Sequence, residues 1–199
     1  MNGTPEELRA LFERHDSFLL TAHVSPDGDA LGSLAALSLW LKGKGKKVVT
    51  VIDDCIDDKF FFIEECRYIL HPSDVEAEEG RIGVVLDATD PSRTGETAKL
   101  LGDFVVNIDH HVSNAHFADC EYILTDYAAT GEILTDLFLK WQEEITPSML
   151  MPCIWLLLRT AVSLSSVIRQ GIPCVVPPLW LMRELIPIEF PNTWKKRHW

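Results

Sequence analysis

The stretch FVVNIDHH, residues 104–111, runs from apolar and β-branched residues directly into Asp109, His110 and His111. Residues Phe104–Ile108 predict a short buried strand, because β-branched and aromatic side chains suit a pleated, packed surface. The acidic and imidazole side chains follow at the carboxyl end of that strand. The stretch therefore predicts one strand of a sheet whose end presents potential metal ligands.

Two earlier segments repeat this pattern. The predicted strand Ser17–Thr21 precedes HVSPDGDALGS at residues 23–33, and the predicted strand Ile82–Leu86 precedes Asp87. In sheets of parallel strands, ligands bind outside the carboxyl ends of the strands. We therefore expect the three polar clusters to lie along one rim of a single sheet.

The remaining predicted elements are three helices and one strand: Pro5–Arg14, Ala30–Leu41, Thr130–Trp141 and Lys47–Ile52. Thr130 or Asp126 is the expected N-terminal cap of the last helix. Strands that alternate with helices predict an α/β fold with a mainly parallel sheet and helices on both of its faces.

The composition narrows the class of protein. Of the 199 residues, 47% are hydrophobic and 24% charged, which is ordinary for a globular protein. The net charge of −12 argues against long nucleic acids, which bind to clustered Lys and Arg. The most apolar stretch, residues 149–176, is interrupted by Arg159, Arg169 and Pro173, so no membrane span is predicted. A polar N-terminus and five Cys without paired spacing predict a cytoplasmic protein.

The loop in HVSPDGDALGS has the residues of a tight turn. Pro26 and Gly28 are expected to bend the chain so that Asp27 and Asp29 point to a common centre. The backbone N–H groups of the loop and of the following helix also suit a phosphate. An Asp-rich turn that caps the helix is an equally good interpretation of the loop taken alone.

The segment VVLDATDPSRTG, residues 84–95, is the second candidate. Asp87 at the end of a buried strand must be paired, capped or metal-bound, because an isolated buried carboxylate is unfavourable. Capping of a turn is the simpler explanation for this segment alone. Arg93 is either a surface residue or a side chain that holds a phosphate or orients a carboxylate.

The His residues of the third cluster, together with several carboxylates, suit Mn²⁺. Two such ions a few Å apart are able to hold both oxygens of an in-line displacement at phosphorus. The alternative is a pair of His residues on a polar loop.

Taken in order, HVSPDGDALGS, VVLDATDPSRTG, NIDHHVSN and YAATGEIL resemble the DHH phosphoesterase superfamily. Within it the chain is most similar to the nanoRNase and pAp phosphatase group. The resemblance covers about residues 14–147. It implies hydrolysis of short oligoribonucleotides and 3′-phosphoadenosine 5′-phosphate (pAp) with two Mn²⁺ ions, or with Mg²⁺ in their place. Small phosphorylated nucleotides are then the ligands, and a homodimer is compatible with this interpretation.

The resemblance also implies roles for the individual residues. His23 and Asp27 would hold one ion, Asp29 and His110 the other, and Asp87 would bridge both. A hydroxide between the ions would be the nucleophile, since bound cations lower the pKa of water.

Three further residues form the predicted catalytic group. Asp109 would support the DHH turn from behind, and His111 would contact the scissile phosphate or the leaving oxygen. Arg93 belongs to the same group as a side chain that holds the phosphate.

The segment 148–199 differs in composition from the rest. It contains no Asp, four of the six Trp and six of the 11 Pro. A further metal-binding Asp in a D-x-G-x-F string and a C-terminal substrate-binding domain are expected from the resemblance, and neither is found. We therefore predict a DHH catalytic domain at residues 1–147. Residues 148–199 are predicted to be an aberrant, frameshifted tail that is not an independent domain, so that the substrate-binding domain is absent and this chain is truncated.

Other functions fit parts of this pattern. Within the same superfamily, an inorganic pyrophosphatase or a cyclic-dinucleotide phosphodiesterase is the rival enzyme. A rival of another class is a non-catalytic, truncated remnant that at most binds metal. Turnover of pAp separates the enzyme from the remnant.

Overall fold

Five parallel strands form a sheet in the order β2-β1-β3-β4-β5 in the computed structural model, which describes residues 3–143. The strands are β1 Ser17–Thr21, β2 Lys47–Thr50, β3 Ile82–Leu86, β4 Val105–Asp109 and β5 Cys120–Ile123. The α-helices among these residues are α1 Pro5–Arg14, α2 Gly28–Gly43 and α3 Thr130–Lys140. The fold is therefore α/β with a parallel sheet, as predicted.

The first helix illustrates how local sequence sets an element. The Thr4 hydroxyl accepts a hydrogen bond from the Glu7 backbone N–H at 3.2 Å, and the Glu7 carboxylate accepts one from the Thr4 backbone N–H at 2.8 Å. Such a capping box satisfies two backbone donors that a helix start otherwise leaves unpaired. The helix then buries Leu8 and Phe12 against the sheet side of the core.

The two faces of the sheet pack against different helical elements. Strand residues such as Phe18 and Val84 share the larger core with the buried faces of α1, α2 and α3. Leu19 and Val85 point the other way and share a smaller core with Leu101. Leu101 directly follows the 3₁₀-helical segment Pro91–Leu100. Helical elements therefore cover both faces.

Several predicted bounds of helices and strands are confirmed, and the predictions that differ from the structure do so for physical reasons. The helix α1 and the strands β1 and β3 begin and end at the predicted residues. The strand β2 ends at Thr50 rather than at Ile52, after which Val51 makes an isolated bridge to Leu70. The strand β5 was not predicted, because its four residues, CEYI, contain no β-branched run.

The predicted cap of α3 is wrong. The N-cap residue is Ala129, which makes no side-chain hydrogen bond. The backbone N–H groups of Thr130 and Gly131 instead donate to the carboxylate of Asp29, at 2.8 and 2.9 Å. A carboxylate from α2 thus replaces the local cap that short-range sequence rules anticipate.

The strand order places a crevice at the ends of β1 and β3. The chain passes from β1 to β2 on one side, and then returns to β3 on the other side of β1. Connections that leave in opposite directions open a gap at the carboxyl ends of the two strands. His23 and Asp87 follow these two strands.

Within residues 3–143, every helix is too short or too polar to cross a bilayer. The predicted boundary at residue 147 and the predicted tail, residues 148–199, lie outside the described residues.

Gly83→Ala is expected to lower the free energy of unfolding by about 1–3 kcal/mol, as overpacked cores do. A Cβ at residue 83 would lie 2.4 Å from the backbone carbonyl oxygen of Leu101, which cannot swing aside as a side-chain end does. Urea unfolding followed by circular dichroism measures the loss. The control is Gly43→Ala, whose Cβ would meet no atom within 4 Å. Equal effects of the two substitutions would refute the packing argument.

Candidate metal centre

A polar cleft of about 560 Å³ lies at the carboxyl ends of β1, β3 and β4. Its lining residues are His23, Asp27, Asp29, Asp87, Ala88, Thr89, Arg93, His110, His111, Ser113 and Ala128. Seven of the eight predicted site residues are among them. The eighth, Asp109, is fully buried behind the cleft.

Two groups of potential metal ligands share one residue, Asp87. The first group joins Asp87 to His23 and Asp27, and the second joins it to His110 and His111. In each group the ligand atoms lie within 4.8 Å of one another. Imidazole nitrogens and carboxylate oxygens together form a donor set for divalent transition metals such as Mn²⁺. The residues therefore fit two adjacent cations that share a carboxylate.

The two oxygens of Asp87 face different His residues. Oδ1 lies 3.6 Å from Nε2 of His110, and Oδ2 lies 3.8 Å from Nε2 of His23. The Asp87 backbone is left-handed, with φ 55°, a conformation that costs a non-Gly residue free energy. This strained residue directly follows β3, and its carboxylate lies between the two groups of potential metal ligands.

The surroundings of Asp87 disfavour its negative charge in the protein alone. Burial, together with the charges of Asp29 and Asp27, raises the pKa of this carboxyl to about 9. A divalent cation reverses this balance, since it is the largest local charge in such a site. A cation bound beside Asp87 would therefore stabilise the charged form of this carboxylate.

His23 is held in the orientation that a metal ligand needs. Its Nδ1 lies 2.7 Å from the backbone carbonyl oxygen of Val24. A carbonyl oxygen only accepts, so Nδ1 carries the N–H of this contact, and Nε2 is the nitrogen that faces Asp87. Ligating imidazoles in proteins are commonly oriented in this way.

Asp27 caps a helix and is also a potential metal ligand, which are the two interpretations that the sequence of its loop allowed. Its Oδ1 accepts hydrogen bonds from the backbone N–H groups of Asp29 and Ala30, at 2.8 and 3.1 Å, and so caps α2. The same carboxylate belongs to the ligand group with His23 and Asp87. Capping fixes the carboxylate in place and does not exclude metal binding.

Asp29 lies in the cleft but outside both ligand groups. Oδ2 accepts from the Thr130 backbone N–H, and Oδ1 accepts from the Gly131 backbone N–H and the Ser33 hydroxyl. Burial raises the pKa of Asp29, although the two backbone donors act against the rise. Oδ2 is 3.8 Å from Nε2 of His110. Its predicted role as a ligand of the second ion stays a prediction.

The buried carboxylate of Asp109 organises the DHH turn. Its Oδ1 accepts from the His110 backbone N–H at 2.8 Å and lies 2.7 Å from Nδ1 of His111. An N–H on Nδ1 of His111 therefore donates to Asp109, and Nε2 is the nitrogen left for the cleft. His111 thus differs from His110, whose Nε2 faces Asp87 and Asp29.

Two Asn residues complete this network, and the sequence reasoning missed both. The amide of Asn114 donates to Asp109 Oδ2 at 2.7 Å and to Asn107 Oδ1 at 2.8 Å. The amide of Asn107 donates in turn to the backbone carbonyls of Val85 and Ala88, at 3.0 and 3.2 Å. The sequence contained one indication of this network. Asn107 lies inside an apolar strand, where an amide needs buried hydrogen-bond partners.

Arg93 is an exposed residue whose side chain borders the cleft. Its backbone carbonyl accepts a hydrogen bond from the Val24 N–H at 2.7 Å, which joins the 3₁₀ segment to the loop after β1. Two residues that follow β2 make further hydrogen bonds to the same two segments. Asp54 accepts from the backbone N–H and hydroxyl of Ser25, and Asp53 accepts from the Glu96 backbone N–H at 2.7 Å.

The chain is similar to proteins of one family. The family model described as "DHH family, N-terminal domain" matches residues 17–160. The bifunctional oligoribonuclease and PAP phosphatase NrnA of Thermus thermophilus is 34% identical over 136 residues, 66% of this chain and 40% of that protein. The protein of the same name from Bacillus subtilis is 26% identical over 137 residues, 69% of this chain and 42% of that protein. The chain thus spans about two fifths of the length of these curated relatives.

A solved structure has the same fold. An exopolyphosphatase-related protein from Bacteroides fragilis superposes with a TM-score of 0.71 and 23% sequence identity, over 79% of this chain and 50% of that one. At this identity the likeness concerns the fold alone. The family match, in contrast, covers more than half of the chain and includes every residue of the cleft. The chain therefore belongs to the DHH family.

Proposed function

We propose that this chain forms the metal-binding part of a phosphoesterase that hydrolyses short oligoribonucleotides and pAp. The observation that carries the proposal is the sharing of Asp87 between two groups of His and Asp ligands. The substrate class comes from the printed names of the relatives, which are oligoribonucleases and PAP phosphatases. We place the protein in the cytoplasm, where such nucleotides occur as small soluble ligands.

Two Mn²⁺ ions, or Mg²⁺ in their place, are the proposed cofactors. His23, Asp27 and Asp87 would hold one ion, and Asp87 and His110 the other, with Asp29 beside it. When bound, such a pair supplies a Lewis acid for the phosphoryl oxygens and an activated water. Without cations, the carboxylates of the cleft would repel a phosphate.

The proposed catalytic work of the protein itself falls to Asp109 and His111. Asp109 holds the proton of His111 at Nδ1 and thereby fixes the imidazole plane. When His111 is protonated on both nitrogens, Nε2 donates its proton to the leaving oxygen as a general acid. Burial of Asp109 keeps water from competing for the contact.

Arg93 is proposed to orient the substrate. Among the described residues that line the cleft, Arg93 is the one from the Arg and Lys types, and it is exposed to solvent. A guanidinium binds two oxygens of one phosphate with parallel hydrogen bonds. Its place in the lining of the cleft suits a phosphate that is not being cleaved, or the scissile phosphate itself.

Asp87→Asn tests the proposed function. The full chain is expected to bind two Mn²⁺ per molecule and to release phosphate from pAp, while the variant binds Mn²⁺ more than about 100-fold more weakly. The expected loss is large because changes of groups that merely support ligands already cost about 10- to 100-fold. Electron paramagnetic resonance of free Mn²⁺ measures binding, and phosphate release measures turnover.

The matched control is Asp126→Asn, which removes the same charge from an exposed residue outside the cleft. Metal binding without turnover of pAp or oligoribonucleotides would support the remnant instead. Turnover of pyrophosphate or a cyclic dinucleotide in place of pAp would support the rival enzymes. A wild-type chain that binds no Mn²⁺ would refute the proposal.

His110→Gln and His111→Gln are expected to have different effects. The first should weaken Mn²⁺ binding more than about 10-fold, because Nε2 of His110 faces the shared carboxylate. The second should leave Mn²⁺ affinity within about threefold and lower kcat about 10²- to 10⁴-fold, as loss of a general acid does. His15→Gln, at the end of α1, is the control. Equal loss of Mn²⁺ affinity in both variants would make His111 a ligand.

We further propose that residues 148–199 are read in a shifted frame and that residues 1–147 are the catalytic domain. Support comes from the composition of residues 148–199, which contain no Asp and four of the six Trp. The expected result is that the genomic sequence downstream of the Trp141 codon opens a second frame that encodes a D-x-G-x-F string. Nucleotide sequencing decides this, and a single open frame that encodes the present tail would contradict it.

A further inference from the structure

Thr130, the first residue of α3, joins two parts of the cleft that lie far apart in the sequence. Its side chain is fully buried, and its hydroxyl donates to Oδ1 of Asp87 at 3.1 Å. Its backbone N–H donates to Oδ2 of Asp29 at 2.8 Å. The side chain and the backbone of this one residue thus hold two carboxylates, one directly after β3 and one on α2.

The backbone contacts explain why α3 starts here. The first N–H groups of a helix have no partner inside the helix, and Asp29 accepts two of them. This contact is complete without the Thr130 side chain. A helix start alone would be served equally well by Ser, Ala or Val at this position, so the hydroxyl bond to Asp87 needs a separate reason.

The hydroxyl bond fixes the rotation of the Asp87 carboxylate. With Oδ1 tied to Thr130 and facing His110, Oδ2 is turned toward His23. Each oxygen then lies with a different group of potential ligands. If the carboxylate were free to rotate, its two oxygens would not stay directed at His110 and His23.

We propose that Thr130 is a positioning residue that holds Asp87 in the orientation in which it would bridge two cations. The inference rests on the proposed function, because it assigns the bridging role to Asp87. It adds a residue outside the cleft lining to the metal centre. Partners of this kind, one contact removed from the ion, orient ligands in many metal sites.

The test compares substitutions on one helix in the full chain. Thr130→Val and Thr130→Ala remove the hydroxyl, and Thr130→Ser keeps it. The matched control is Thr135→Val, whose hydroxyl donates at 2.8 Å to the backbone carbonyl of Gly131 in the same helix. Each variant is titrated with Mn²⁺, and the thermal unfolding of each metal-free variant is recorded.

The hydroxyl-free variants are expected to bind Mn²⁺ about 10- to 100-fold more weakly, as is usual when such a partner is lost. Thr130→Ser should restore affinity to within about threefold, and Thr135→Val should leave it unchanged. Wild-type affinity in Thr130→Ala or Thr130→Val would overturn the proposal. Equal losses in Thr135→Val would overturn it as well, since a general effect on the helix would then explain the result.

A second measurement separates this inference from the proposed function. Crystal structures of the metal-free wild-type chain and of Thr130→Ala report the plane of the Asp87 carboxylate directly. A rotated or disordered carboxylate in the variant is expected. An unchanged carboxylate overturns the positioning role even if the wild-type chain binds no Mn²⁺, the result that would refute the proposed function itself.

Discussion

The buried carboxylate of Asp87 is the constraint on which the rest of the site depends. It is 3% exposed, it stands at the end of the central strand β3, and its backbone is left-handed. Removing a carboxylate from water is unfavourable by several kcal/mol unless charge or hydrogen bonds compensate. The imidazoles of His23 and His110 and the hydroxyl of Thr130 surround it. The fold gathers these groups from three strand ends and a helix start.

The frame around Asp87 is tied together by hydrogen bonds that cross between elements. Asp29 links α2 to the start of α3, and Asp109 links the DHH turn to a chain of two Asn amides. Asp54 holds the loop after β1 through Ser25. Ligand positions that are fixed before an ion arrives reduce the cost of organising the site when it binds.

The charges of the chain bear directly on the phosphorylated ligands that we propose. The chain has a net charge of −12, and three carboxylates line the cleft. Cations bound between those carboxylates would invert the local field and make the cleft attractive to phosphate. In the proposed function, Arg93 would add a directional contact to the phosphate. The same charge that argues against long nucleic acids is therefore compatible with small phosphorylated ligands.

The sequence by itself determined the α/β class, the bounds of β1 and β3, and the placement of His23, Asp87 and His110 after parallel strands. These features follow from short-range patterns of apolar residues and from a general rule about strand ends. The tertiary structure alone decided which atoms face one another. The contacts of Thr130 with Asp87 and Asp29 span 43 and 101 residues and have no periodic signature. Such hydrogen bonds depend on how elements pack, so they become visible once the chain has folded.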